Sequence, residues 1–188
     1  EHLAALRVIP GCQVLRPADA REVAECWRLA IEYVDGPTVL ALSRQKLPFL
    51  DIPAETVKAG VARGAYAVVD VAAPQVVILA TGSEVAPAKQ AAGLLAAEGI
   101  AARVVSVPSI ERFTAQDAGY RASLLPAGVP RLAVEAGHPQ SWWRLVGETG
   151  DVLGLDHFGA SAPAKELFKR YGFTADNVRG TIESVLKK

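Results

Sequence analysis

The sequence predicts an α/β protein. Residues 66–188 should form a mostly parallel, doubly wound sheet with one antiparallel edge strand, preceded by a partial strand–helix–strand from a second α/β domain. Three observations carry this. From residue 75 onward, strand-sized apolar runs alternate strictly with helical patterns, the mark of a parallel sheet covered on both faces. "YAVVD" (66–70) and "QVVILA" (75–80) are separated by only four residues, too few for a parallel crossover, so they should be antiparallel neighbours. Before them lie just two strands and one helix, which cannot close a core alone.

The elements follow in order. "CQVLR" (12–16) is extended and Pro17 stops it; Asp19 and Glu22 have capping-box spacing at the start of a helix. That helix, "AREVAECWRLAIEY", places Val23, Trp27, Ala30 and Ile31 on one face. Asp35-Gly36-Pro37 breaks it, and "TVLALS" (38–43) is the next strand, the pair reading as a parallel crossover. Residues 45–65 carry two prolines and two glycines without clear periodicity and read as a surface linker. Strand 75–80 leads into a helix over 84–98 with Gly99 as C-cap. Strand 102–107 precedes a helix over 115–125 with Thr114 as N-cap, and strand 131–136 precedes a helix over 141–148. Strand 151–155 and helices over about 163–171 and 175–187 close the chain. The domains are therefore 1–47 (incomplete), a linker 48–65, and 66–188.

Composition narrows the function classes. The 188 residues are 51% hydrophobic and 21% charged with zero formal net charge, as in a soluble globular protein. Neither nucleic acid nor an anionic membrane is an expected partner, since both favour a basic face. The longest apolar runs are far too short to span a bilayer. Cys12 and Cys26 are too few for a disulfide framework and are badly spaced for zinc; they fit buried thiols in a reducing cytosol. The chain has no methionine and no signal-peptide pattern at "EHLAALRVIP", so a fragment of a longer cytoplasmic protein is expected, removal of a tag or leader being the alternative.

Ligands of open α/β sheets sit beyond the carboxyl ends of the strands. Those ends could gather Ser83, Glu84, Glu135, His138 and His157. Each also has a plainer reading. Ser83 is a good N-cap, Glu84 complements the helix dipole, and each histidine could hydrogen-bond its own turn. "TGSE" (81–84) opens a helix, where anions collect, yet it lacks the three glycines of a dinucleotide fingerprint and the Gly-Lys-Ser/Thr of a P-loop. Trp142 and Trp143 point about 100° apart on a helix, so one can pack inward while the other meets a partner. Arg44, ending the strand in "LSRQKLP", offers paired donors matched to phosphate or carboxylate; a surface ion pair is the alternative.

"RPADAREVAECWRLAIE" followed by "DGPTVLALSRQKLP" resembles the end of a transketolase pyrimidine-binding domain. "VVILATGSEVAPAKQAAGLLAAEGIAARVVSVPS", "RLAVEAG" and "FGASAPAKELFKRYGFTADNV" resemble the C-terminal domain of the same family, so the likeness covers essentially the whole chain. Dihydroxyacetone synthases share much of the pattern. The resemblance implies transfer of a two-carbon ketol unit between sugar phosphates, with thiamine diphosphate and a divalent cation (magnesium or calcium) in a homodimer. It implies that Arg44, in the "SRQ" motif, binds the substrate phosphate. Glu1 matches the last residue of the family's D-G-P-T-H-Q-P-x-E motif, so His2 is not that motif's histidine. The catalytic glutamate, diphosphate ligands and metal ligands lie upstream in the family. No catalytic, cofactor or metal residue is therefore assigned here, no cofactor is expected bound to this chain, and the chain alone should be inactive. Two other readings are a subunit of a split transketolase and an autonomous module binding a regulatory anion at 81–84 and 135–138.

Overall fold

In the computed structural model, which describes residues 1–187, the chain is α/β throughout. It begins with a short helix α1 (His2–Arg7), strand β1 (Gln13–Leu15), helix α2 (Ala20–Glu32) and strand β2 (Thr38–Leu40). β1 and β2 pair in parallel as a two-stranded sheet, the predicted crossover. α1 lies outside the sequence prediction. It is a six-residue helix without a side-chain cap, too short to show a period.

Helix α3 (Ala54–Arg63) comes next, then β3 (Tyr66–Val69), β4 (Val76–Ala80), α4 (Val85–Ala97) and β5 (Ala102–Ser106). They are followed by α5 (Ile110–Thr114), α6 (Ala118–Leu124), β6 (Arg131–Val134), α7 (Trp143–Val146), β7 (Asp151–Leu153), α8 (Ala164–Tyr171) and α9 (Ala175–Val185). The sheet order is β3-β5-β4-β6-β7, with only β3 antiparallel. This is the predicted mostly parallel sheet with one antiparallel edge. Along β4, Val76, Ile78 and Ala80 join the core under α2, α3, α4 and α9, whereas Val77 and Leu79 join Phe113, Trp142 and Leu145 on the other face. Period-two alternation with both faces apolar is what a doubly wound sheet requires. Each fully buried Ile, Leu or Val there contributes about 1.5–3 kcal/mol.

Five local expectations are corrected. β3 is not the neighbour of β4, because β5 lies between them. The short connection did fix the antiparallel direction. Four extended residues reach about 13 Å, enough to cross two strand spacings of about 9.6 Å, so adjacency was not required. On α2, the buried residues are Glu22, Cys26 and Leu29, while Trp27 and Ile31 are 52% and 77% exposed. The helix carries two stripes, and the polar anchorage of Glu22 described below turns the 22/26/29 stripe inward.

The segment read as an aperiodic linker contains α3, which buries Val57, Gly60 and Val61. This is an i, i+3, i+4 stripe with glycine in the middle, invisible to a count of apolar side chains. A Cβ at Gly60 would sit 2.3 Å from the Tyr66 ring, so the glycine is what lets α3 approach β3. Finally, the helix predicted over 115–125 is divided into α5 and α6. Asp117 caps α6 by accepting from Tyr120 N–H at 2.8 Å, while the Thr114 hydroxyl bonds back to Glu111 C=O. A carboxylate following a helical turn restarts the helix where Thr114 was expected to begin it. Similarly, the helix expected over 141–148 is a 3₁₀ turn (Pro139–Ser141) followed by the single turn of α7.

Candidate functional site

The carboxyl ends of β4 and β6 converge, and with them the acids of "TGSE" and "EAG". Gly82 has φ +57°, a left-handed conformation, and a Cβ there would lie 2.7 Å from the Arg16 guanidinium carbon. Glycine therefore serves twice, for the turn and for the close approach of Arg16. The turn grips that arginine at both ends. Arg16 Nη1 donates to Thr81 C=O at 2.6 Å and to Glu84 Oε2 at 2.5 Å, while Arg16 C=O accepts from the Thr81 hydroxyl and Gly82 N–H. Glu84 also accepts from the Ser83 hydroxyl and from Ala136 N–H.

Next to this pair, Arg7 of α1 forms a bidentate pair with Glu135, both contacts at 2.7 Å, and Trp142 Nε1–H donates to the same carboxylate at 2.7 Å. Arg16 Nη1 stands 3.9 Å from Glu135 Oε1, joining the two pairs into one network. Burial alone would raise the Glu135 carboxyl. The hydrogen bonds and charge of Arg7, with Arg16 and Trp142, outweigh it and hold that group below the ordinary carboxylate range. Burial would likewise lower the Arg16 guanidinium, and Glu84 and Glu135 reverse the direction. Both groups are charged and mutually satisfied.

Ser83, Glu84 and Glu135 are thus brought together, as their strand-end positions suggest. What fills the crevice between them is a pair of arginines from the first 16 residues. The two histidines stay apart from this cluster. His138 Nδ1 accepts from Gln140 N–H within its own turn, and exposed His157 lies 2.8 Å from Phe158 C=O and 5.3 Å from the Tyr171 ring. Trp142 is fully buried and Trp143 is 49% exposed, which settles the ambiguity of the pair. Cys12 and Cys26 are buried free thiols, and burial pushes the Cys26 thiol up, so it is inert. Arg7 and Arg16 escaped the sequence reading. The available signal was two acids at adjacent strand ends, each following an apolar strand, which need cations of their own once buried.

Arg44 lies in an exposed bend after β2 and makes no hydrogen bond or ion pair among the described residues. The loop that follows it is tied down. Asp19, besides capping α2 through Glu22 N–H, accepts from Leu50 N–H at 3.1 Å, and Lys89 Nζ donates to Leu50 C=O. Arg44 is therefore a free cation on a positioned loop.

A second buried carboxyl was read only as half of a capping box. Glu22 accepts from Ala18 N–H, the Tyr66 hydroxyl and the Ser106 hydroxyl, and it joins α2 to β3 and β5. Burial pushes it above the ordinary carboxyl range. The three hydrogen bonds oppose the shift and Asp19 adds to it. The folded chain therefore holds this proton more tightly than the unfolded chain does. That stabilisation is complete below the ordinary carboxyl range and is lost as pH rises through the folded value. Glu22→Gln removes the titration and keeps the shape. Its unfolding free energy relative to the unsubstituted chain should therefore improve in urea titrations as pH is raised above the ordinary carboxyl range. A pH-independent difference would place Glu22 in the ordinary range.

The residues present do not fit a diphosphate–metal site. The strand-end acids are consumed by guanidinium groups, the "TGSE" turn is filled by Arg16, and no three His, Cys, Asp or Glu among the described residues gather as a metal site. None of the described helices is long and apolar enough to cross a membrane.

A doubly wound sheet whose ligand crevice is closed by arginines from the attached leading segment defines a two-part α/β scaffold rather than a self-contained nucleotide binder. Residues 64–174 match the family model of the transketolase-like C-terminal domain, and residues 1–49 match that of the transketolase pyrimidine-binding domain. The chain belongs to the transketolase family. It is 50% identical over 191 aligned residues to the transketolase of Geobacillus stearothermophilus, covering 100% of this chain and 29% of that protein. With the plasmid-borne transketolase of Cupriavidus necator the identity is 51%, covering 100% and 28%. Among solved structures, Leishmania mexicana transketolase superposes with a TM-score of 0.90 at 44% identity, covering 100% of this chain and 27% of that one. A split-gene transketolase, described as an inactive beta4 tetramer, superposes at 0.78 with 26% identity, covering 98% of this chain and 61% of that one. The chain spans less than a third of the length of the curated relatives it matches.

Proposed function

We propose that this chain is the C-terminal part of a transketolase. The complete enzyme moves a two-carbon ketol unit from a ketose phosphate to an aldose phosphate in the pentose phosphate pathway, as a cytoplasmic homodimer using thiamine diphosphate with magnesium or calcium. The observation that carries this reading is the family match along both parts of the chain, with an unpaired Arg44 exposed at the matching "SRQ" loop. We divide the chain into the end of the pyrimidine-binding domain (1–47), a connector (48–65) and the C-terminal domain (66–188). Thiamine diphosphate supplies the carbanion chemistry in such an enzyme. This chain's contribution is narrower: it buttresses the cofactor domain through the Arg7–Glu135 and Arg16–Glu84 pairs, and it presents Arg44 to the substrate phosphate.

Two expected results test this. In a two-carbon transfer assay with thiamine diphosphate and magnesium, the 188-residue chain alone should show no turnover above a contaminant-controlled background. Activity there would place the missing cofactor groups on this chain after all. In the full-length enzyme, Arg44→Ala should weaken use of phosphorylated substrates by about 1.5–3 kcal/mol in kcat/KM, the range for a hydrogen bond to a charged group. Unphosphorylated donors should hardly respond, and equal loss for both classes would make Arg44 structural.

A subunit of a split transketolase is the second reading, favoured by the likeness to the split-gene enzyme. One long band or two short ones on a gel of the source protein distinguishes them. The regulatory-anion reading has less support, because the crevice at 81–84 and 135–138 is filled by Arg16 and Arg7.

A further inference from the structure

Among the described residues, two buried polar atoms that lack a hydrogen bond lie side by side. They are Arg7 Nε and Glu111 Oε1, 4.0 Å apart. Such orphans are rare, and a neighbouring donor and acceptor of opposite charge ordinarily close to about 2.7–2.9 Å. Here each is held from behind. Arg7 gives both terminal nitrogens to Glu135, and its guanidinium carbon stands 5.9 Å from the centre of the Trp142 ring. Glu111 accepts from the Ser109 hydroxyl at 2.9 Å through its other oxygen. Burial pushes the Glu111 carboxyl up, and its hydrogen bonds and Arg7 oppose this only in part, so the acid is short of donors.

Both residues line a hollow of about 280 Å³ bounded by α1, α5, the 3₁₀ turn Pro139–Ser141 and α7. That is several times the roughly 30 Å³ of one water and a little below the range of about 300–1,000 Å³ usual for small-molecule sites. Ser141, Gln140 and Arg144 line it as well, and none of these three side chains makes a hydrogen bond among the described residues. The lining has no excess of either sign, since Arg7 is taken by Glu135 while Glu111 and Arg144 supply one charge each. An N–H that only donates and a carboxylate oxygen that only accepts are both satisfied by a hydroxyl, which accepts from the first and donates to the second. An ammonium or a phosphate dianion satisfies only one of them.

We infer that this hollow binds a small uncharged polyol of about three to five carbons, one hydroxyl of which accepts from Arg7 Nε–H and donates to Glu111 Oε1. The two orphan atoms are out of reach of solvent, but the Glu111 side chain is 28% exposed, so a turn of its carboxylate about the Ser109 bond admits the hydroxyl. Further hydroxyls reach Ser141, Gln140 and Arg144. Bound in this way, the polyol ties the leading helix α1 to α5 and α7. The inference stands apart from the reading of Arg44.

Xylitol is the probe, titrated calorimetrically into the full-length enzyme, with an expected dissociation constant on the order of 1 mM. Glu111→Leu, which keeps the bulk and removes the acceptor, should weaken binding about tenfold or more. Ser141→Phe, which fills the hollow from the α7 side, should do the same and serves where the first variant does not fold. Arg44→Ala should bind xylitol as the unsubstituted enzyme does, which separates this hollow from the Arg44 loop. A crystal structure with xylitol should place one of its oxygens within hydrogen-bonding distance of both Arg7 Nε and Glu111 Oε1. No measurable binding, binding that survives both hollow variants, or binding lost in Arg44→Ala would overturn the inference. So would ordered water alone between Arg7 and Glu111 in crystals grown with xylitol.

Discussion

Glu135→Ala is expected to destabilise the chain by about 3–5 kcal/mol, the cost of leaving a buried cation without its partner. Arg7 directs both terminal nitrogens at Glu135, and Arg16 leans on the same carboxylate while holding Glu84. Truncation leaves the nearly buried Arg7 guanidinium with only Glu111, 4.0 Å from its Nε, and the buried Trp142 indole N–H without an acceptor. The unfolding midpoint in guanidinium chloride measures this, with the m-value unchanged if the transition keeps its size. Glu135→Gln should be nearly as damaging, because an amide supplies one acceptor oxygen where Arg7 needs two and carries no charge. A loss below about 1 kcal/mol would mean that the network is no stronger than a surface ion pair.

Trp142→Ala should have an effect of similar size, about 3–5 kcal/mol, from a different physical source. The indole is completely buried in the core face that also holds Phe113, Leu145 and Val146, so truncation opens a large cavity under β4 and β6. Trp142→Phe separates the contributions. It keeps most of the apolar volume and removes the Nε1–H donated to Glu135, and a loss of about 0.5–1.5 kcal/mol is expected for that one bond. Trp143→Ala, at the neighbouring half-exposed position, should stay within about 0.5 kcal/mol. Since Trp142 and Glu135 touch, their combined variant should lose less than the sum of the two. Additivity would show that the hydrogen bond between them contributes nothing.

Most of the architecture was legible because the periodicities are strong. "VVILA" and "RVVSV" can only be strands apolar on both faces, and Gly99, with φ +80°, ends α4 where a C-cap glycine was expected. What escaped notice depended on contacts between residues far apart in sequence. The burial of α3 is carried by a glycine, the inward face of α2 by a carboxyl, and the place of β3 beside β5 by a connection long enough to skip one strand. At the site, strand-end position alone gathered Ser83, Glu84 and Glu135, but nothing local reveals that their partners are Arg7 and Arg16. Arg44 was visible by motif, but the strand expected over 38–43 stops at Leu40, so Arg44 stands in a bend beyond the strand end where it was expected.

The position of Arg7 and Arg16 has a mechanical consequence. The short leading segment cannot peel from the sheet without stripping two carboxylates, Glu84 and Glu135, of their arginine partners. Detachment therefore has no cheap halfway stage, and the two parts of the chain should melt as one body. A protease that cut the loop between them would leave two pieces still clasped together.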